Sequence, residues 1–488
     1  MTKRRRRRLF VLILGLGAVG WAVFGPIMAY LGVPLRWATS DHTFLFKPYL
    51  QLGDNPGLAD PERAEVVWHT ADQDADWWVE VKSTPDGAWV RTPKPEARRV
   101  LLEKVDPHRI YHVPIGGLKP GGKFSYRVGR GEQTLFEAEG RARMPVGMPY
   151  RTVVIGDIAA GTSAASRIAW RIGEAHPDLL VITGDIVYSR GRISEYAERF
   201  FPVYNADTPS PNQGAPILRT TLAAASPGNH DIAHRNIGSF PDILGYFLAW
   251  SQPLNGPLGT IGAPNTPIIE GPPDQIKAWL AAAGPTYPRM ANFSFDFGDA
   301  HWLMLDANPH VDWSDPALRA WVERDLASVR PGAWKFAACH HPGFNSSVAH
   351  AHEQQMRLLT DLFERGGVSI VFGGHVHNYQ RTYPFTFQQD GKGQLGDGHV
   401  NGVWTIDRAF DGVKQTVPKG IIYVITGGGG ATLHDTIRGS RPDTWLEITK
   451  QVVSDIHSFT TLDIEPTRLH LEQINDAGAV VDAFTVTR

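Results

Sequence analysis

Leu179-Leu180-Val181-Ile182-Thr183-Gly184-Asp185-Ile186-Val187-Tyr188 is the stretch on which the fold turns. Four apolar residues closed by a Gly-Asp turn read as a buried strand whose end aims a carboxylate outward. The same grammar occurs upstream, where Thr152 to Ile155 runs into Gly156-Asp157-Ile158-Ala159. Helical patterns over Ser163 to Ala175 and Ser194 to Phe201 follow these two strands, and strands alternating with helices predict α/β layering from residue 150 onward. Lys335 to Cys339, Val368 to Phe372 and Ile421 to Thr426 read as further buried strands. A helix over Pro316 to Val329 places Leu318, Trp321, Val322 and Leu326 on one face. The chain ends in antiparallel strands, Phe459 to Thr487, with a turn at Asp476-Ala477-Gly478.

The grammar upstream is different. From 42 to 145, short alternating runs such as Ala64 to His69, Trp77 to Lys82 and Lys123 to Val128 are separated by Pro, Gly and Asp turns, which predicts an all-β unit. Gly117-Leu118-Lys119-Pro120-Gly121-Gly122-Lys123-Phe124-Ser125-Tyr126-Arg127-Val128 resembles the closing strands of a fibronectin type III module. Between Pro202 and Pro288 lies a Pro- and Gly-rich stretch with little periodicity, read either as a lid or binding loop or as a disordered surface insertion.

The N-terminus carries its own signal. Residues 1–8 hold six basic side chains, Lys3 and Arg4 to Arg8, and the 27 residues from Leu9 to Leu35 include no charged one. At 1.5 Å per residue that run can cross a hydrocarbon core, and the basic block before it predicts a cytoplasmic tail, an anchor at 9–35 and an extracytoplasmic remainder. A cleaved signal sequence, leaving a secreted or periplasmic protein, is the alternative. The net charge of −2 becomes −8 once the six basic tail residues are set aside, which argues against a nucleic-acid partner. Cys339 is the single cysteine, so no intrachain disulfide can form.

Five motifs sit where apolar runs end: Gly156-Asp157-Ile158-Ala159, Gly184-Asp185-Ile186-Val187-Tyr188, Gly228-Asn229-His230-Asp231, His340-His341-Pro342 and Gly374-His375-Val376-His377. In an open α/β sheet the carboxyl ends of strands converge on one crevice. Two aspartates, an asparagine, a tyrosine and three histidines are too many donors for one ion and suit two. Oxygen donors including a phenolate suit a hard trivalent ion, while imidazole and amide suit a divalent one.

In these motifs, and in Trp321-Val322-Glu323-Arg324-Asp325-Leu326 and Thr426-Gly427-Gly428-Gly429-Gly430-Ala431, the chain from about residue 45 onward resembles the purple acid phosphatases, within the calcineurin-like metallophosphoesterases. The resemblance implies an α/β metallophosphoesterase domain at 150–488, with layered sheets flanked by helices, behind a fibronectin-like sandwich. It implies that Asp157, Tyr188 and His377 bind Fe(III), that Asn229, His340 and His375 bind a divalent ion (Zn, Fe or Mn), and that Asp185 bridges. Ala159 stands where many other phosphoesterases of the superfamily place a histidine ligand and where the closer family has glycine. His230 and His350 are the expected substrate-facing residues, with His352 as the other choice in Val348-Ala349-His350-Ala351-His352. The implied activity is hydrolysis of phosphate monoesters by a metal-bound hydroxide, that is, an acid phosphatase. A phosphodiesterase or nucleotide hydrolase on the same metal core, and a surface binding protein with a degenerate site, are the competing readings.

Overall fold

The computed structural model describes residues 43–84, 86–258 and 263–488. The basic tail at 1–8 and the apolar run at 9–35 lie outside the described residues. Among the described residues no helix is long and apolar enough to cross a membrane.

The first unit is a two-sheet sandwich. One sheet orders Phe46–Gln51, Glu62–Ala71, His108–Leu118 and Ala97–Val100. The other orders Val90–Arg91, Trp77–Lys82, Lys123–Arg130 and Gln133–Arg141, with all pairs antiparallel. Strand geometry sends alternate side chains to opposite faces. Phe124, Tyr126 and Val128 therefore meet Val66, Trp68, Trp77 and Val79 in the interior. The arrangement fits a fibronectin type III-like module.

The second unit holds two larger sheets. Leu222–Ala225, Leu179–Ile182 and Tyr150–Ile155 run parallel, and Ser458–Ile464, Arg468–Asn475 and Val480–Thr487 continue that sheet antiparallel. The other sheet has a parallel centre of Ala300–Leu305, Trp334–Cys339, Ile370–Gly373 and Ile422–Thr426. Phe293–Phe297 borders that centre on one side, and Tyr379–Thr382 and Thr449–Val453 on the other.

Because both faces of these strands are buried, they read as continuous apolar runs. Val154, Leu179, Val181 and Leu222 pack with Trp302, Met304, Phe336 and Phe372 between the sheets. Outward-pointing Val153, Ile155, Leu180 and Ile182 bury Ile168, Ala169 and Ile172 of the helix Ser163–Glu174. Leu303, Leu305, Ala337 and Cys339 likewise cover Leu318, Val322 and Leu326 of the helix Pro316–Ser328. Each helix starts on a side-chain cap, Thr162 Oγ1 for the first and the Asp315 carboxylate for the second.

Two readings change. The five motifs are divided between two stacked sheets rather than set along one open sheet. The described residues of 202–288 do not form a disordered surface insertion, for Tyr246, Phe247, Trp250 and Trp279 are buried in the same core as the first sheet. Its helix Pro273–Ala283 and several four-residue helices escape a periodicity search because prolines and glycines cut them short. The helix expected at Ser194 to Phe201 is part of a helical run from Ile193 to Tyr204 that includes a π-turn at Tyr196–Phe200.

The sandwich is clipped to the second unit by Arg143, a fully buried guanidinium. It donates to Glu62 Oε2 at 2.9 and 3.0 Å, to the Gly57 carbonyl at 2.6 Å and to the Asp296 carbonyl at 3.2 Å.

Candidate metal centre

Each motif begins within three residues of a strand's carboxyl end, and three of its side chains need unusual backbone to face the crevice. Asp157 (φ 63°), Asp185 (φ 49°) and His375 (φ 67°) adopt the left-handed conformation, uncommon for residues with a Cβ and kept only where the surroundings enforce it. Hydrogen bonds enforce it here. The His375 N–H donates to Asp157 Oδ2 at 2.9 Å, and the His230 N–H donates to Asp185 Oδ1 at 2.8 Å. A Cβ at Gly228 would strike the Asp185 carboxylate, and one at Gly427 would strike Asp157 and the Val376 carbonyl.

The predicted donors form two adjoining groups. In the first, Asp157 Oδ1 lies 3.1 Å from Tyr188 Oη and 3.2 Å from His377 Nε2, and those two atoms are 3.2 Å apart. In the second, His340 Nε2 lies 3.0 Å from Asn229 Oδ1, 3.3 Å from Asp185 Oδ1 and 3.2 Å from His375 Nδ1. Donor atoms of Asp157, Asp185 and His340 all fall within 4.8 Å of one another, so the groups are contiguous.

The imidazoles are oriented from behind. Nδ1 of His340 donates to the Thr183 carbonyl at 2.8 Å and Nδ1 of His377 donates to the Thr432 carbonyl at 2.6 Å, leaving Nε2 of both rings directed inward. His230 is held the same way, its Nδ1 donating to the Ser189 carbonyl at 2.8 Å. Its Nε2 lies 3.9 Å from Asp185 Oδ2 and its ring rests on Tyr188. His350 lies against His375, with ring centroids 4.2 Å apart, whereas His352 is exposed.

Residues 150–379 match the family model for the calcineurin-like phosphoesterase. The chain thus carries a calcineurin-like phosphoesterase domain and is similar to purple acid phosphatases. It is 27% identical to purple acid phosphatase 23 of Arabidopsis thaliana over 62% of this chain and 64% of that protein. It is 22% identical to acid phosphatase type 7 of Mus musculus over 78% of this chain and 77% of that protein. The match spans 64%, 59% and 54% of the lengths of purple acid phosphatases 23, 15 and 21 of Arabidopsis thaliana. A purple acid phosphatase from yellow lupin seeds has the same fold, with a TM-score of 0.63 at 19% identity, covering 90% of this chain and 74% of that one.

The donors at this site fit a cation. Asp157 and Asp185 are buried without a lysine or arginine partner among the described residues, and buried carboxylates need compensating charge. Burial opposes ionisation of Asp185, yet the His340 imidazole outweighs it and holds the carboxyl below the usual range. Against its own burial, His340 is raised to about 10 by Asp185, a proton standing where a metal ion can neutralise the same charge. Burial and then the charges of Asp157 and Asp185 push the Tyr188 phenol up, so its ionisation needs a strongly charged cation.

Sequence reasoning missed three neighbours. Asp231, within the quoted Gly-Asn-His-Asp motif, accepts from the Gly228 N–H at 2.7 Å and the Ile186 N–H at 3.2 Å, tying two donor loops together. His434 stacks on His377 with centroids 3.9 Å apart, and its Nδ1 accepts from the His377 N–H at 3.3 Å. Glu353 approaches His375 Nε2 to 2.6 Å. Asp231 could have been found by its motif; His434 and Glu353 lie on loops with no periodic signal.

Proposed function

We propose that this chain hydrolyses phosphate monoesters at a two-metal centre, Fe(III) held by Asp157, Tyr188 and His377 and a divalent ion held by Asn229, His340 and His375, with Asp185 between them. The observation that carries the reading is the division of the donors into two contiguous groups, one rich in oxygen and containing the phenol, the other containing two imidazoles. Two ions so held would supply Lewis acidity, polarising the ester and activating water for in-line attack at phosphorus. The chain's own part is positioning and proton management. His230, fixed by Ser189, presents Nε2 beside Asp185 for a phosphoryl oxygen or leaving group, and His350 does so from the side of His375. Lys3 to Arg8 ahead of the uncharged 9–35 segment supports an extracytoplasmic catalytic unit, anchored or, after cleavage, released.

Rates on a matched monoester and diester test the substrate class. Preference for the monoester at acid pH supports an acid phosphatase; preference for the diester transfers the site to phosphodiesterase chemistry, and no turnover with both metals bound leaves the degenerate binding protein.

A further inference from the structure

Three imidazoles of the centre, His230, His340 and His377, are oriented by backbone carbonyls. His375 and His350 are not. Both face one side-chain oxygen, Glu353 Oε2, at 2.6 Å from His375 Nε2 and 3.2 Å from His350 Nδ1. A neutral imidazole has a single N–H, and the nitrogen facing a carboxylate is the one that carries it. His375 is thereby left with its lone pair at Nδ1, the atom 3.2 Å from His340 Nε2 within the second donor group. His350 is left with Nε2 for substrate. Glu353 is itself pinned, because its N–H donates to the His350 carbonyl at 3.2 Å and Asn345 Nδ2 donates to that same carbonyl at 3.2 Å.

We propose that Glu353 is a positioning residue that holds His375, a metal-ligating imidazole, and His350, a substrate-facing imidazole, in register through one carboxylate oxygen. The proposal rests on the phosphatase reading and adds a residue to it. A competing use of the same atoms exists. His341 is buried with no partner for Nδ1, and it forms with Glu353 and His375 a second donor group within 4.8 Å. Ligation there through His375 Nε2 would require that atom to give up the proton that the 2.6 Å contact to Glu353 holds in place.

The test begins with the wild type, which must bind two ions and turn over a phosphate monoester; failure at that step refutes the phosphatase reading, whatever Glu353 does. In an active enzyme, Glu353→Ala is expected to weaken the divalent ion about 10- to 100-fold in chelator competition, the usual effect of removing a carboxylate behind a metal-bound histidine. The iron and its visible band should stay, and kcat should fall while KM holds. Glu353→Gln, which keeps the size and one acceptor oxygen, should recover part of both losses, and it carries the test if the alanine variant does not fold. His350→Ala should keep wild-type metal affinity. Wild-type metal affinity and kcat in Glu353→Ala or, where that variant does not fold, in Glu353→Gln would overturn the proposal. So would a third ion per chain that disappears with Glu353, since that outcome makes it a ligand.

Discussion

Replacing His230 by alanine removes an imidazole that makes no contribution to the donor groups. Its Nδ1 is spent on the Ser189 carbonyl at 2.8 Å, and its Nε2 stands 3.9 Å from Asp185 Oδ2, too far for a hydrogen bond and near enough to serve a substrate oxygen in the same crevice. The backbone N–H that supports Asp185 survives the substitution. His230→Ala should therefore keep both metals while turnover falls. Positioned proton transfer is worth about 10² to 10⁴ in rate, roughly 3 to 5 kcal/mol of barrier. Steady-state kinetics on an alkyl phosphate and on p-nitrophenyl phosphate separate the possible roles, since a leaving group that departs as a stable anion needs little protonation. A general acid predicts a larger loss on the alkyl ester; equal losses place His230 on the phosphate instead. Loss of either metal from the variant, or wild-type turnover on both esters, would refute the division between ligands and proton carriers.

Tyr188→Phe should abolish the visible charge-transfer band of the iron-loaded protein, because phenylalanine has no oxygen to bind the iron; a retained band removes Tyr188 from the ligand set. Arg143→Met leaves the Glu62 carboxylate buried and unpaired, so thermal unfolding should show a loss of about 3 to 5 kcal/mol, whereas pairing it with Glu62→Leu should recover much of that. A single variant as stable as wild type contradicts the buried clip. His301 is held by Asp296 at 2.8 Å and Asp325 at 2.9 Å, bonds that outweigh its burial and raise it from 6.5 to about 9. The folded state holds the proton more tightly, so this stabilisation is full below about pH 6.5 and lost as pH rises through about 9. Its size is roughly 2 kcal/mol, below the full value of the shift because Asp296 is half-exposed. Denaturant titrations of His301→Asn should lack that pH dependence, and a wild type with flat stability across the window refutes it.

The strands that carry the centre were legible because each is buried on both faces and announces itself as an apolar run closed by a chemically distinct turn, as at Ile182-Thr183-Gly184-Asp185. Legibility failed where structure depends on contacts remote in sequence. No local pattern reports that Val154 and Phe336, on different sheets, belong to one core. The buried aromatics Trp250 and Trp279 follow no period, since four-residue helices and prolines break the chain between them. Within the centre, the side chains that present donors lay inside short motifs and could be named. Glu353 and His434 act from loops brought in by folding, and a lone glutamate or histidine in a loop carries no signal of its own. The sequence names His350 ahead of His352 but leaves both open, and the His350 ring is the one that lies against His375.

The most direct test of the central claim is metal analysis of the purified chain, wild type beside Asp185→Ala. Asp185 lies 3.3 Å from His340 Nε2, and its charge acts on Tyr188 in the other group. Two ions per wild-type chain, one of them iron, with both weakened by the single substitution, is the expected result. One ion per wild-type chain, or an Asp185→Ala protein that keeps both at full affinity, would contradict a two-metal centre built around Asp185.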